Sequence, residues 1–87
     1  MKYPAIIVYC GDKEKIQSVR PAHREYLGKL RSEGKIAMSG PFTDDSGALI
    51  VYEAGSLDEA RELLEADPFR KAGVFQSYQL KEWNQVI

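Results

Sequence analysis

Two short runs leave this chain little choice of architecture. Ala5-Ile6-Ile7-Val8-Tyr9-Cys10 and Ala48-Leu49-Ile50-Val51-Tyr52 are unbroken in apolar residues and rich in β-branched and aromatic side chains. A strand sends successive side chains to opposite faces, so a continuous apolar run reads as a strand buried on both faces. Only 87 residues are available to do the burying. That length builds one core, and so small a core is marginal unless something staples it. Cys10 is the only cysteine, so no disulfide can close within the chain. His23 is the only histidine, so no Cys/His metal pattern exists and no metal is expected. Association with a second chain is the common device that remains.

The punctuation between these runs is regular. The first strand, Ala5–Cys10, follows Pro4 and ends at Gly11-Asp12. Asp12–Val19 is polar and reads as a loop or a first helical turn. Pro21 suits the first position of a helix, where its missing N–H costs little. That helix runs to about Glu33, and Gly34 stops it. His23, Tyr26, Leu27 and Leu30 form its inward stripe at i, i+3, i+4 and i+7. Lys35–Ser39 is a short second strand, broken by Gly40-Pro41-Phe42. Asp44-Asp45-Ser46-Gly47 then marks a turn into the third strand, Ala48–Glu53. Ser56-Leu57-Asp58-Glu59 has the capping-box pattern and opens a helix with Leu57, Ala60, Leu63 and Leu64 on one face. Asp67-Pro68 starts a further helical turn, with Asp67 as N-cap, and Gly73 ends it. Val74–Trp83 is the last strand.

The order is β-α-β-β-α-β. The expected fold is therefore α+β and ferredoxin-like: a four-stranded antiparallel sheet with both helices on one face, and residues 1–87 as one domain. Two helices cover only one face, while both apolar strands ask for cover on two. The same sheet from a second chain is the simplest cover, which makes the expected state an isologous homodimer or a higher assembly built from it.

The charge is nearly balanced, with 12 basic and 13 acidic residues. That excludes the basic stripe that nucleic acid requires. The longest apolar run is far below the roughly 20 residues of a membrane span. The start, Met1-Lys2-Tyr3-Pro4, lacks signal-peptide architecture, and a lone thiol fits a reducing cytoplasm. The expected partners are a second copy and a small molecule, with neither nucleic acid nor membrane.

Several segments together are similar to the YCII-related family, a branch of the dimeric α/β-barrel superfamily. They are Arg20-Pro21-Ala22-His23-Arg24-Glu25-Tyr26-Leu27, Gly34-Lys35-Ile36, Ser39-Gly40-Pro41-Phe42, Gly47-Ala48-Leu49-Ile50, Asp67-Pro68-Phe69 and Ala72-Gly73-Val74-Phe75. They occur in the family's order across nearly the whole chain. The resemblance implies a ferredoxin-like protomer, a dimer of facing sheets, and a pocket in which a histidine and an aspartate act as acid/base partners. Those roles fall on His23 and Asp67. Some relatives dehydrochlorinate an oxidised aromatic, and the superfamily includes a lactone isomerase of aromatic catabolism.

His23 is the one side chain here suited to moving a proton near neutral pH, and it shares a helical face with Leu27 and Leu30. Asp67 is a helix cap on its own terms. A carboxylate has two oxygens, so capping leaves room to orient an imidazole. Ser39, Gly40 and Pro41 end a strand where N–H and hydroxyl groups can turn towards a ligand. Arg20 is placed to meet an anionic ligand. Phe69, with Phe42 and Phe75, can line an apolar pocket or simply fill core. Tyr9 and Tyr52 can stack on an aromatic substrate or pack in the dimer interface, with packing the expectation, and Cys10 reads as a small buried thiol.

The expected function is that of a small cofactor-free enzyme. It would use His23 and Asp67 in an elimination, isomerisation or hydrolysis of an aromatic or enolisable compound. The alternatives are a small-ligand binding module and a purely structural dimeric domain.

Overall fold

The computed structural model describes all 87 residues. Its elements come in the expected order: β1 (Lys2–Tyr9), α1 (Lys13–Ser32), β2 (Ile36–Pro41), β3 (Gly47–Glu53), α2 (Leu57–Glu65), α3 (Pro68–Lys71) and β4 (Phe75–Leu80). The strands form one antiparallel sheet in the order β2-β3-β1-β4. The fold is α+β and ferredoxin-like.

The two apolar runs occupy the centre of the sheet, and their register sorts them into two faces. Tyr3, Ala5 and Ile7 lie opposite Tyr52, Ile50 and Ala48. These six are buried, and they join Ile16 and Leu30 of α1, Ala60 and Leu64 of α2, and Phe69 of α3 in one core. The opposite face carries Ile6 and Val8 against Leu49 and Gly47, with Met38 across from Val51. Within the single chain Ile6, Val8, Met38 and Leu49 are exposed. Val51 is buried but stands outside the main core. The double burial that the apolar runs ask for is therefore only half met. Gly47 is required by close approach: a Cβ there would come within 1.8 Å of the Ile7 carbonyl oxygen.

Tyr9 and Tyr52 lie on the helix-facing side of the sheet, not on the open side where an interface would form. Tyr52 is fully buried and its hydroxyl has no hydrogen-bond partner. Burial, followed by the nearby Asp67 carboxylate, pushes its phenol far above the usual range.

α1 begins two turns earlier than the position of Pro21 suggested. Asp12 caps it, accepting the Lys15 N–H at 3.1 Å, and Glu14 complements the helix dipole in the first turn. Ile16 then enters the core, so the inward stripe of α1 extends back from His23 and stabilises the added turns. Pro21 lies inside the helix, where it forgoes the hydrogen bond to the Gln17 carbonyl. β2 continues through Gly40 to Pro41, which an edge strand tolerates. β4 stops at Leu80, and only an isolated bridge, Lys2 to Trp83, continues the pairing.

The remaining elements are held where capping residues foretell. Ser56 accepts the Glu59 N–H at 3.1 Å, while the Glu59 carboxylate reaches back to the Gly55 N–H rather than to that of Ser56. Leu57, expected inward, is exposed at the start of α2. Tyr26 of α1 donates to the Leu63 carbonyl at 2.7 Å and ties α1 to α2. α3 is anchored to β4 from outside. Arg70 donates to the Phe75 carbonyl at 2.8 Å and to Glu65, and Tyr78 donates to Glu65 at 2.7 Å. The Tyr78 hydrogen bond, with Arg70 beside it, holds the Glu65 carboxyl below its ordinary range.

Candidate active site

α1 carries Arg20, His23, Arg24 and Leu27 at spacings of three and four, which brings them to one side of the helix. That side faces β2 and β3 across a cavity of about 250 Å³. The chain enters α3 from the end of α2 at Asp67, whose φ of −66° and ψ of 132° are extended. There the Asp67 side chain turns inward and lies fully buried beside α1.

His23 and Asp67 meet within one chain, 44 residues apart in sequence. Nδ1 of His23 lies 2.8 Å from Oδ1 and 2.9 Å from Oδ2 of Asp67. An ionised carboxylate only accepts, so Nδ1 carries the proton and is shared between both oxygens. Oδ1 also accepts the Phe69 N–H at 2.9 Å. Capping and ring orientation therefore coexist, both centred on one oxygen. His23 is 7 % exposed and lines the cavity. With Nδ1 committed, Nε2 is the nitrogen left with a free lone pair.

The ring is fixed by more than this hydrogen bond. Phe69 stacks on the imidazole at 4.0 Å and 10°, and Phe75 meets it edge-on at 5.8 Å and 83°. Tyr9 packs edge-on against Phe69 at 5.9 Å. Its phenol is pushed up, chiefly by burial, against the opposing pull of Arg20. Gly73, with φ of 82°, ends α3 in the left-handed region and lets Val74 donate back to the Phe69 carbonyl at 2.8 Å.

Of the seven residues expected to act on or hold a ligand, six line this cavity: Arg20, His23, Ser39, Gly40, Pro41 and Phe69. Asp67 is the seventh and stands behind His23. Phe75 is core behind the site, and Phe42 lies outside the cavity lining. Sequence reasoning missed Arg24, Leu27, Ala48 and Ile50 as lining residues, and for Tyr9 it preferred interface packing to stacking on an aromatic substrate. The signal for Arg24 and Leu27 was present, since each stands on the same helical side as His23. A second cavity of about 430 Å³ shares Tyr9 and Arg20 with the first and reaches Cys10, Lys13 and Asp45. Cys10 is half-buried. No three His, Cys, Asp or Glu side chains converge in a metal-binding arrangement. No helix is long and apolar enough to cross a membrane.

The fold and the paired His23 and Asp67 define a class of small ferredoxin-like domain with a buried His–Asp contact beside a cavity. The comparisons with known proteins narrow it. The model of the YCII-related domain matches residues 1–84, and the chain belongs to that family. The YciI protein of Escherichia coli O6:H1 is 34 % identical over 93 % of this chain and 97 % of its own. An uncharacterised protein of Bacillus subtilis, YjpA, is 43 % identical over 61 residues, 70 % of this chain and 71 % of its own. Among solved structures, 5-chloro-2-hydroxyhydroquinone dehydrochlorinase from Burkholderia phenoliruptrix AC1100, in complex with 2,5-dihydroxybenzoquinone, superposes with a TM-score of 0.83. It is 30 % identical, and the match covers 97 % of this chain and 94 % of that one.

The double role of Asp67 has a measurable consequence. Asp67→Ala removes a helix cap and strands a buried imidazole N–H, and should lower the unfolding free energy by about 2–4 kcal/mol. Asp67→Asn keeps an oxygen for the Phe69 N–H and should cost clearly less. Denaturant unfolding of both variants checks this; equal losses would contradict the double role.

Proposed function

We propose that this protein is a small enzyme in which His23 moves a proton to or from an aromatic or enolisable substrate, with Asp67 orienting the imidazole. One observation carries the reading: a buried imidazole whose Nδ1 is held by a fully buried carboxylate while the ring lines a cavity. Such a ring has one tautomer and one free nitrogen, Nε2, to act as base and then as acid. Ser39 lies opposite Ile50, on the helix-facing side of β2, and lines the same cavity. Its hydroxyl, or a backbone N–H near Gly40, stabilises the oxyanion that forms when the substrate is deprotonated. Arg20 and Phe69 hold the ligand, and Pro41 shapes the cavity wall.

The dehydrochlorinase likeness favours an elimination among the possible reactions. In the simplest case His23 accepts a proton from the substrate. The carbon–chlorine bond then breaks, chloride leaves with the bonding pair, and the ring gains a double bond. The net change is loss of HCl, and no electrons are exchanged with a second reactant. Isomerisation or hydrolysis would use the same two residues.

The same proposal includes a homodimer, with a cytoplasmic setting in which Cys10 stays a thiol. The open sheet face presents Ile6, Val8, Met38 and Leu49 to water. A second copy of that face is the self-complementary cover.

Two measurements test these points. Chloride release from a chlorinated hydroxyhydroquinone should fall about 10²–10⁴-fold in a folded His23→Ala variant. Full turnover in that variant would refute the acid/base role. Sedimentation should give twice the 9.8 kDa of one chain. Leu49→Asp should dissociate the pair, and a wild type that sediments as a monomer at micromolar concentration would refute the dimer.

A further inference from the structure

His23 is flanked on its own helix by two cations, Arg20 and Arg24, although Asp45 borders Arg20 in the neighbouring cavity. Arg20 stands one turn before it and Arg24 directly after it, and both line the 250 Å³ cavity. None of the 11 lining residues is an aspartate or glutamate. Asp67 is fully buried behind the imidazole and committed to it. Neither guanidinium enters an ion pair or a side-chain hydrogen bond. By contrast, Arg70 pairs with Glu65 and Arg61 donates to Tyr78. The phenol of Tyr9, which also lines the cavity, is pushed up chiefly by burial; Arg20 and Arg24 pull it down, while Asp67 and Asp45 push it up. Two positive charges therefore stand on one side of a cavity whose lining carries no carboxylate.

The rest of the lining states the shape of what fits. Leu27, Ala48, Ile50 and Phe69 supply apolar walls. The volume lies below the usual range of small-molecule pockets, which suits a single ring. Arginine presents its donors in a planar fork and binds oxyanions better than any other side chain.

We infer that Arg20 and Arg24 form an oxyanion subsite beside His23, and that the substrate is a single-ring organic anion whose charge lies on a ring-conjugated oxygen. A hydroxyquinone is such an anion, because its hydroxyl is a vinylogous carboxylic acid. The reaction assigned to the substrate rests on the acid/base reading above, but its binding does not. Arg24 lines the first cavity and not the second, whereas Arg20 borders both. Arg24 is therefore the residue whose replacement reports on this subsite.

The test is calorimetric titration of the full chain with 2,5-dihydroxybenzoquinone, which is anionic at neutral pH, and with 2,5-diaminobenzoquinone, a neutral ring of similar size. The wild type should bind the dihydroxy compound at least about tenfold more tightly. Arg24→Gln should weaken that binding by about ten- to a hundredfold, as loss of a charge-assisted hydrogen bond does. It should leave the diamino compound unaffected, and Arg24→Lys should recover part of the loss. Equal affinity for the two rings, no binding of either, or an equal loss for both in Arg24→Gln would overturn the subsite. His23→Gln separates the two readings: it should keep the preference for the anion, and a preference lost with His23 alone would overturn the assignment to the arginines.

Discussion

One buried carboxylate holds the site together. Asp67 accepts the Phe69 N–H and so starts α3, and it accepts Nδ1–H of His23 and so fixes an imidazole on α1. An ionised carboxylate with no exposed surface is costly to bury unless its oxygens are satisfied. Here three donor contacts fall on two oxygens. Phe69, positioned by the same cap, stacks on the ring that Asp67 orients. The cap, the stack and the imidazole orientation are thus one constraint. Its supports lie outside the cavity, in the Arg70 and Glu65 contacts that anchor α3 to β4.

The sheet supplies the opposite wall. The helix-facing side of β3 places Ala48 and Ile50 under the cavity, and β2 contributes Ser39 and Pro41 from the sheet edge. The helices cover this side and leave the other side apolar and open, so the two faces have different tasks. One walls the cavity beside His23, and the other exposes Ile6, Val8, Met38 and Leu49. Gly47 belongs to both, because only a residue without Cβ lets β3 pass the Ile7 carbonyl.

Much of this was legible from local pattern. The apolar runs, the capping residues Ser56 and Asp67, and Gly73 each act through interactions within a few residues, and such signals survive in any tertiary context. The pairing of His23 with Asp67 came from family likeness, since no local rule joins residues 44 apart. Pro21 misled about the start of α1. Proline favours a helix start, but Asp12 and the burial of Ile16 outweigh that preference. Tyr9 and Arg24 were underrated for a different reason. Whether a side chain at the right spacing meets a cavity or a packed wall depends on how far α1 stands from β2, which no periodicity records.

The claim on which all of this turns is that Asp67 sets the tautomer of His23. Long-range proton–nitrogen correlation of the nitrogen-15-labelled protein, with the ring neutral, reads it directly. The wild type should show a protonated Nδ1 and a bare Nε2. In Asp67→Asn the amide oxygen can keep the Phe69 N–H, which turns the amide NH₂ towards Nδ1 and moves the ring proton to Nε2. A wild-type ring protonated on Nε2 would contradict the account, because the nitrogen facing the cavity would then have no lone pair with which to act as a base.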